Sequence, residues 1–126
     1  MPTVLIIDDN PAVATALETL FSLHEIDAAS AASPEEGLVR LQRGDIDLVV
    51  QDMNFHADTT SGEEGVELFK SIRARHPDLP VILLTARAQE SDVETGFDSG
   101  ADDYITKPFS PRDLASRVEA LLTGAG

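Results

Sequence analysis

Apolar runs alternate with helical patterns five times along the chain. The strand candidates are 4–7 (Val-Leu-Ile-Ile), about 26–30, 46–51 (Ile-Asp-Leu-Val-Val-Gln), 80–84 (Pro-Val-Ile-Leu-Leu) and 103–106. Three of them are nearly continuous apolar runs, as expected for strands buried on both faces of a parallel sheet. Helical periodicity fills the intervals. Val13, Ala16, Leu17, Leu20 and Phe21 follow the i, i+3, i+4, i+7, i+8 spacing of a core-facing stripe, with Pro11 suited to a first turn. Ser33-Pro34-Glu35-Glu36 supplies an N-cap, a first-turn proline and first-turn acids for the second helix, and Gly44 ends it. Val66, Phe69 and Ile72 mark a third helix. A fourth, about 91–99, offers only Val93 and Phe97 as an apolar face and contains Gly96. Ser110-Pro111-Arg112-Asp113 starts the last, whose stripe is Leu114, Val118, Leu121 and Leu122.

Such a (βα)5 alternation predicts an α/β domain: one parallel sheet between two helical layers, a three-layer sandwich with right-handed crossovers. The expected strand order is 2-1-3-4-5, the flavodoxin-like order. Ligands in such sheets bind at the carboxyl ends of the strands, beside the switch between strands 1 and 3. The domain is expected to span 1–122, with 123–126 a tail or the start of a linker.

Composition narrows the function classes. A length of 126 residues suits one domain. The absence of cysteine removes disulfides, thiol nucleophiles and Cys-based zinc sites. No apolar run approaches the roughly 20 residues of a membrane span. The start, Met-Pro-Thr before Val4, has no basic region of the kind that opens a signal peptide, so a cytoplasmic location is expected. A net charge of −14 repels nucleic acid and argues against direct DNA binding. The charge is uneven, with 12 acids and 2 bases in residues 1–63. A solvated acidic surface explains most of the glutamates, but not carboxylates at strand ends.

Those strand ends carry the candidate chemistry. Strand 1 ends in Asp8 and Asp9, strand 3 in Asp52 and strand 4 in Thr85, while strand 5 runs into Lys107. The topology gathers three carboxylates, a hydroxyl and an ammonium on one sheet edge. Three carboxylates in a partly dry site repel strongly. A hard divalent cation with oxygen ligands compensates them, and Mg²⁺ fits best because it needs few protein ligands and shares phosphate readily. A carboxylate beside Mg²⁺ can attack phosphorus to give an aspartyl phosphate. Lys107 and Thr85 can then neutralise equatorial charge on the transferring group.

Together, Asp8-Asp9, Asp52, Thr85-Ala86 and Lys107-Pro108-Phe109 resemble the receiver domain of bacterial two-component response regulators, the chemotaxis-regulator-like fold. The resemblance covers essentially the whole chain. It implies that Asp52 is the phosphoacceptor, served by a sensor histidine kinase or acetyl phosphate. Asp9 binds Mg²⁺ directly, Asp8 helps hold it, and the backbone carbonyl of Asn54 is a third protein ligand. Lys107 contacts the phosphoryl group and its peptide bond to Pro108 is typically cis, Thr85 binds a phosphoryl oxygen, and Tyr104 changes rotamer with Thr85. The remodelled surface would comprise the fourth helix, the fifth strand and the last helix, suited to a homodimer or a separate effector, with transcription as the expected output. Such a domain is no enzyme beyond catalysing its own phosphorylation and autodephosphorylation.

One segment departs from the family. Residues 53–62 form a longer loop than usual after the phosphoacceptor and contain no proline. Its wording is similar to receivers of ATP-dependent, sigma-54-type activators, whereas the stretch after Thr85 resembles receivers of winged-helix regulators. The alternative reading is a haloacid-dehalogenase-like Mg²⁺-dependent phosphatase, which requires an Asp-x-Asp on the first strand where this chain has adjacent Asp8-Asp9. A flavodoxin-like binding module requires a Ser/Thr/Gly phosphate loop, where this chain is acidic. Neither Gly-x-Gly-x-x-Gly nor a Walker loop is present for a nucleotide. His24, His56 and His76 lack ligand spacing and read as surface residues without a role.

Overall fold

The computed structural model describes residues 2–52, 63–85, 103–106 and 110–122. Five parallel strands, β1 (Thr3–Ile7), β2 (Asp27–Ala31), β3 (Leu48–Asp52), β4 (Val81–Thr85) and β5 (Asp103–Thr106), form one sheet in the order β2-β1-β3-β4-β5. This is the order the alternation predicts. The helices are α1 (Pro11–Leu23), α2 (Pro34–Leu41), α3 (Glu63–Arg75) and a C-terminal helix, Pro111–Leu122. The helix expected at 91–99, the loop 53–62 and the tail 123–126 lie outside the described residues.

Period-two alternation along the strands divides the core into two layers. Val4, Ile6, Leu48, Val50, Ile82 and Leu84 pack against α1 and the C-terminal helix through Leu17, Phe21, Leu114 and Val118. Leu5, Ile7, Val49, Val81 and Leu83 pack against α2 and α3 through Leu41, Leu68, Phe69 and Ile72. A fully buried aliphatic or aromatic side chain contributes about 1.5–3 kcal/mol relative to exposure, so these two layers dominate the favourable side of folding.

β5 spans the expected residues and β1 starts one residue early, whereas β2, β3 and β4 sit one or two residues further along than the apolar runs suggest. β3 and β4 extend to Asp52 and Thr85, because backbone pairing continues past the last apolar residue. In α1 the buried residues are Ala14, Leu17 and Phe21, flanked by the partly buried Val13 and Leu20. Ala16, expected in the stripe, is exposed. It stands about 100° around the helix from Leu17, outside the arc that faces the sheet.

Helix ends follow their local chemistry. Ser33 caps α2, its Oγ accepting the Glu36 N–H at 3.2 Å, and Glu36 Oε2 accepts the Ala32 N–H at 2.8 Å. Gly44, just past α2, takes φ +74°, which glycine adopts without steric cost. The end of α1 is a Schellman motif. The Ile26 N–H donates to Phe21 O at 2.9 Å and the Glu25 N–H to Ser22 O at 3.2 Å, with Ile26 and Phe21 both buried. Its left-handed residue is Glu25, at φ 59°, where glycine is the usual occupant.

This exception yields a prediction. The left-handed conformation costs an L-residue roughly 1–2 kcal/mol. Glycine removes that cost but loses roughly 0.5–1 kcal/mol more backbone entropy on folding. Glu25→Gly is therefore expected to stabilise the fold by about 0.5–1 kcal/mol, read as a higher urea midpoint at an unchanged m-value.

Candidate functional site

The site is built from the end of β1. Ile7 is fully buried and pairs with Ala31 on one side and Gln51 on the other. The Asp8 N–H donates to Ala31 O at 3.1 Å, so the ladder continues one residue past the strand. The Asp8 side chain is only 3% exposed, and its Oδ1 accepts the Asn10 N–H at 2.8 Å. Asn10 in turn caps α1: its Oδ1 accepts the Ala12 N–H at 3.0 Å, and Pro11 occupies the first helical position. Strand thus becomes helix within three residues, with Asp8 pinned and Asp9 half-buried between them.

A close approach holds this strand end from the α2 side. A Cβ on Gly37 would lie 2.6 Å from Ile7 Cδ1 and 3.0 Å from Ile7 Cγ1. A side chain at Gly37 would require the buried Ile7 side chain, one residue before Asp8, to shift.

The parallel register aligns the other strand ends. Ile7 pairs with Gln51, so one further step sets Asp8 abreast of Asp52, the last residue of β3. Neighbouring strands are about 4.8 Å apart, which fixes the backbone separation of the two aspartates. Asp52 pairs with Leu84, and Thr85, ending β4, pairs with Thr106. Tyr104 lies in β5 opposite Leu83. Asp8, Asp9, Asp52 and Thr85 are thereby brought to one edge, with Tyr104 two residues short of it along β5. Lys107, Pro108 and Asn54 lie outside the described residues.

A carboxylate taken out of water needs hydrogen bonds or opposing charge. The Asn10 N–H supplies part of this for Asp8. A second carboxyl residue abreast adds a demand for positive charge. The donors are all oxygen, the set that suits a hard divalent ion such as Mg²⁺. Among the described residues no group of three or more acidic or histidine side chains is gathered for a metal ion.

The described histidines sit away from this edge. His24 follows α1 and its Nδ1 lies 2.9 Å from Glu119 Oε1, while His76 follows α3 and is half-buried rather than on the surface. Both precede strands, at the amino edge of the sheet. A capping role at Asn10 was legible in Asp8-Asp9-Asn10-Pro11, whereas sequence reasoning overlooked the positioning part played by Gly37.

A doubly wound parallel sheet with aspartates, not a phosphate loop, at its switch point defines an acidic flavodoxin-like α/β domain. Comparison with known proteins is specific beyond that class. Residues 4–119 match the response regulator receiver domain. The chain is 43% identical over 122 residues to the transcriptional regulatory protein AfsQ1 of Streptomyces coelicolor, covering 97% of this chain and 52% of that protein. It is 34% identical over 119 residues to the alkaline phosphatase synthesis transcriptional regulatory protein PhoP of Bacillus subtilis, covering 94% and 48%. Among solved structures, the receiver domain of the Francisella response regulator 1452 superposes with a TM-score of 0.88 at 32% identity, covering all of both chains. A CheY-like receiver domain protein from Methanospirillum hungatei gives 0.88 at 26% identity, covering 98% of this chain and 95% of that one. The chain belongs to the response regulator receiver domain family. It spans about half the length of the curated relatives it matches. These matches give the haloacid-dehalogenase reading no support.

The turn that pins Asp8 can be tested by stability. Asn10→Ala leaves the backbone N–H to Asp8 but removes the cap acceptor for Ala12. A loss of about 0.5–2 kcal/mol in unfolding free energy is expected from denaturant titration, the ordinary cost of a lost N-cap.

Proposed function

We infer that this receiver domain is a phosphoacceptor switch that carries its phosphoryl group on Asp52. The observation that supports this most is the register that sets Asp52 abreast of the buried Asp8 at the sheet's switch point. Response regulators pair with sensor histidine kinases, and a phosphohistidine of such a kinase is the proposed donor, with acetyl phosphate as a small-molecule substitute. A carboxylate oxygen of Asp52 attacks phosphorus in line. The P–N bond to the imidazole breaks, and that nitrogen keeps the electron pair. Asp8, Asp9, Asp52 and the Asn54 carbonyl are the residues that would hold Mg²⁺, which when bound offsets charge on the phosphoryl oxygens. Lys107 and Thr85 donate to those same oxygens. The chain catalyses only its own phosphorylation and dephosphorylation.

The proposed response passes from Thr85 to Tyr104 and remodels the surface of the 91–99 segment, β5 and the C-terminal helix. Moving a population from 1:99 to 99:1 takes about 5.5 kcal/mol of differential binding, within reach of a few charge-assisted contacts to a phosphoryl group. The remodelled face meets a second copy or an effector. Transcription is the proposed output, supported by the similarity to the transcriptional regulatory proteins AfsQ1 and PhoP, and a cytoplasmic location accords with it. No described helix is long and apolar enough to cross a membrane.

Incubation with acetyl phosphate and Mg²⁺, followed by intact mass, tests the acceptor. One phosphoryl adduct is expected on the wild-type chain and none on Asp52→Asn, whose side chain is nearly isosteric. Labelling of Asp52→Asn at the wild-type rate would exclude Asp52.

The metal assignment has its own readout in thermal unfolding without any phosphodonor. Mg²⁺ at about 100 times its Kd should stabilise the wild-type fold by about 2.7 kcal/mol. Asp9→Ala should remove that response and, by relieving repulsion, raise metal-free stability on the order of 1 kcal/mol. An unchanged Mg²⁺ response in Asp9→Ala would remove Asp9 from the ligand set.

A further inference from the structure

β2 ends the sheet, and among the described residues it pairs only with β1. Its sequence, Asp-Ala-Ala-Ser-Ala, has neither lysine nor proline and no charge after Asp27. These are the usual devices that keep an exposed edge from pairing with another chain. The hydrogen bonds show which backbone groups face outward. The Asp27 N–H donates to Pro2 O and Ala31 O accepts from the Asp8 N–H, so residues 27, 29 and 31 face β1. In an extended strand the orientation alternates, so Ala28 and Ser30 turn their N–H and C=O groups away from the sheet. Ser30 is exposed and Ala28 half-buried.

Beside this edge lies α2. A groove of about 680 Å³ runs between them, bounded by Ser30, Glu35, Val39 and Arg43. Val39 is 62% exposed, one of two large apolar side chains so exposed among the described residues. Glu35, Val39 and Arg43 recur at i, i+4 and i+8, which puts them along one ridge of the helix and the turn after it. The ridge is acidic at one end, apolar in the middle and basic at the other. A two-fold axis through Val39 would bring each Glu35 against the other copy's Arg43. Arg40, which pairs with Asp45, and Arg43 are the two Lys/Arg residues of residues 1–63, so Arg43 is the base that this ridge carries in the acidic half of the chain.

We propose that the β2 edge and the Glu35–Val39–Arg43 ridge form a self-complementary surface that pairs two copies of this chain into one continuous sheet. With the axis beside Ala29, the two β2 strands run antiparallel. Ala28 of one copy stands opposite Ser30 of the other, and each such pair exchanges two N–H···O=C bonds. Asp27 falls opposite Ala31 of the other copy, so the strand's one charge meets no like charge. The α2 helices lie antiparallel on the same face, Val39 against Val39, which is an isologous interface. The surface is separated from Asp52 by β1, so the pairing belongs to the unphosphorylated chain and does not depend on the switch.

The experiment is sedimentation equilibrium of the metal-free, unphosphorylated chain over a wide concentration range. Salt is held at about 0.15 M, where the Debye length of about 8 Å screens the net negative charge. The weight-average mass is expected to climb from the 13.5 kDa monomer toward twice that value. Arg43→Glu should weaken the dimer by about tenfold or more, and the double variant Glu35→Arg/Arg43→Glu should restore it. Ser30→Pro removes an outward N–H and should abolish pairing. Ser30→Lys, which leaves the backbone intact, is the companion should the proline variant fail to fold. A chain that stays monomeric throughout overturns the proposal. So does a dimer that is indifferent to Ser30→Lys and Arg43→Glu, or one that forms only after treatment with acetyl phosphate and Mg²⁺.

Discussion

Two-sided burial of β1 and β3 is the constraint from which the rest of the molecule follows. Val4 to Ile7 and Leu48 to Val50 are all fully inaccessible. A strand that is apolar on both faces cannot stop at a single layer of helices, so α1 and the C-terminal helix cover one face and α2 and α3 the other. Parallel pairing of these strands then leaves no freedom in where they end. A slip of one residue would turn each apolar set to the wrong layer. The register that satisfies the core is therefore the same register that sets Asp8 abreast of Asp52. Hydrophobic packing sets the register that places the aspartates, and the bonds of Asp8 to Ala31 and Asn10 hold the strand end locally.

Much of this was legible in the sequence. The near-continuous apolar runs at 4–7, 46–51 and 80–84 suited strands buried on both faces, and the flavodoxin-like order expected for the alternation is the one the sheet has. Asp8, Asp9, Asp52 and Thr85 could be set at one edge because each follows such a run directly. What remained hidden depends on three-dimensional partners. Ala16 fitted an apolar spacing, but the sheet accepts only the arc centred on Leu17. Glu25 has no local signal for a left-handed conformation. It is held there because the Schellman bonds and the burial of Ile26 outweigh its cost. Gly37 carried no signal of its own in the sequence, since its close neighbour Ile7 is distant along the chain.

The two edges of the sheet are built differently. At the amino edge, Thr3 and Asp47 exchange two hydrogen bonds of 2.8 Å, one from each backbone N–H. The Asp27 N–H reaches Pro2 O, and the Val49 N–H reaches Pro80 O. Arg73 stands over the Phe69 ring at 5.4 Å and donates to both Pro77 O and Leu79 O, fixing the turn from α3 into β4. These contacts tie every described turn into β1, β3 and β4 to a neighbouring element. At the carboxyl edge the described contacts serve orientation instead, through the chain from Asp8 to Asn10 to Ala12.

This asymmetry has an energetic reason. Like charges gathered at one edge oppose folding, since they are dilute in the unfolded chain and close together in the native one. A domain that keeps such a cluster must draw its stability from places the cluster does not touch. The stapled amino edge and the two apolar layers meet that need, and neither has to change when the charge at the other edge does. A modification there can then act on the local balance of charge without threatening the fold as a whole. The stapled amino edge and the aspartate-bearing carboxyl edge lie a strand's length of five residues apart.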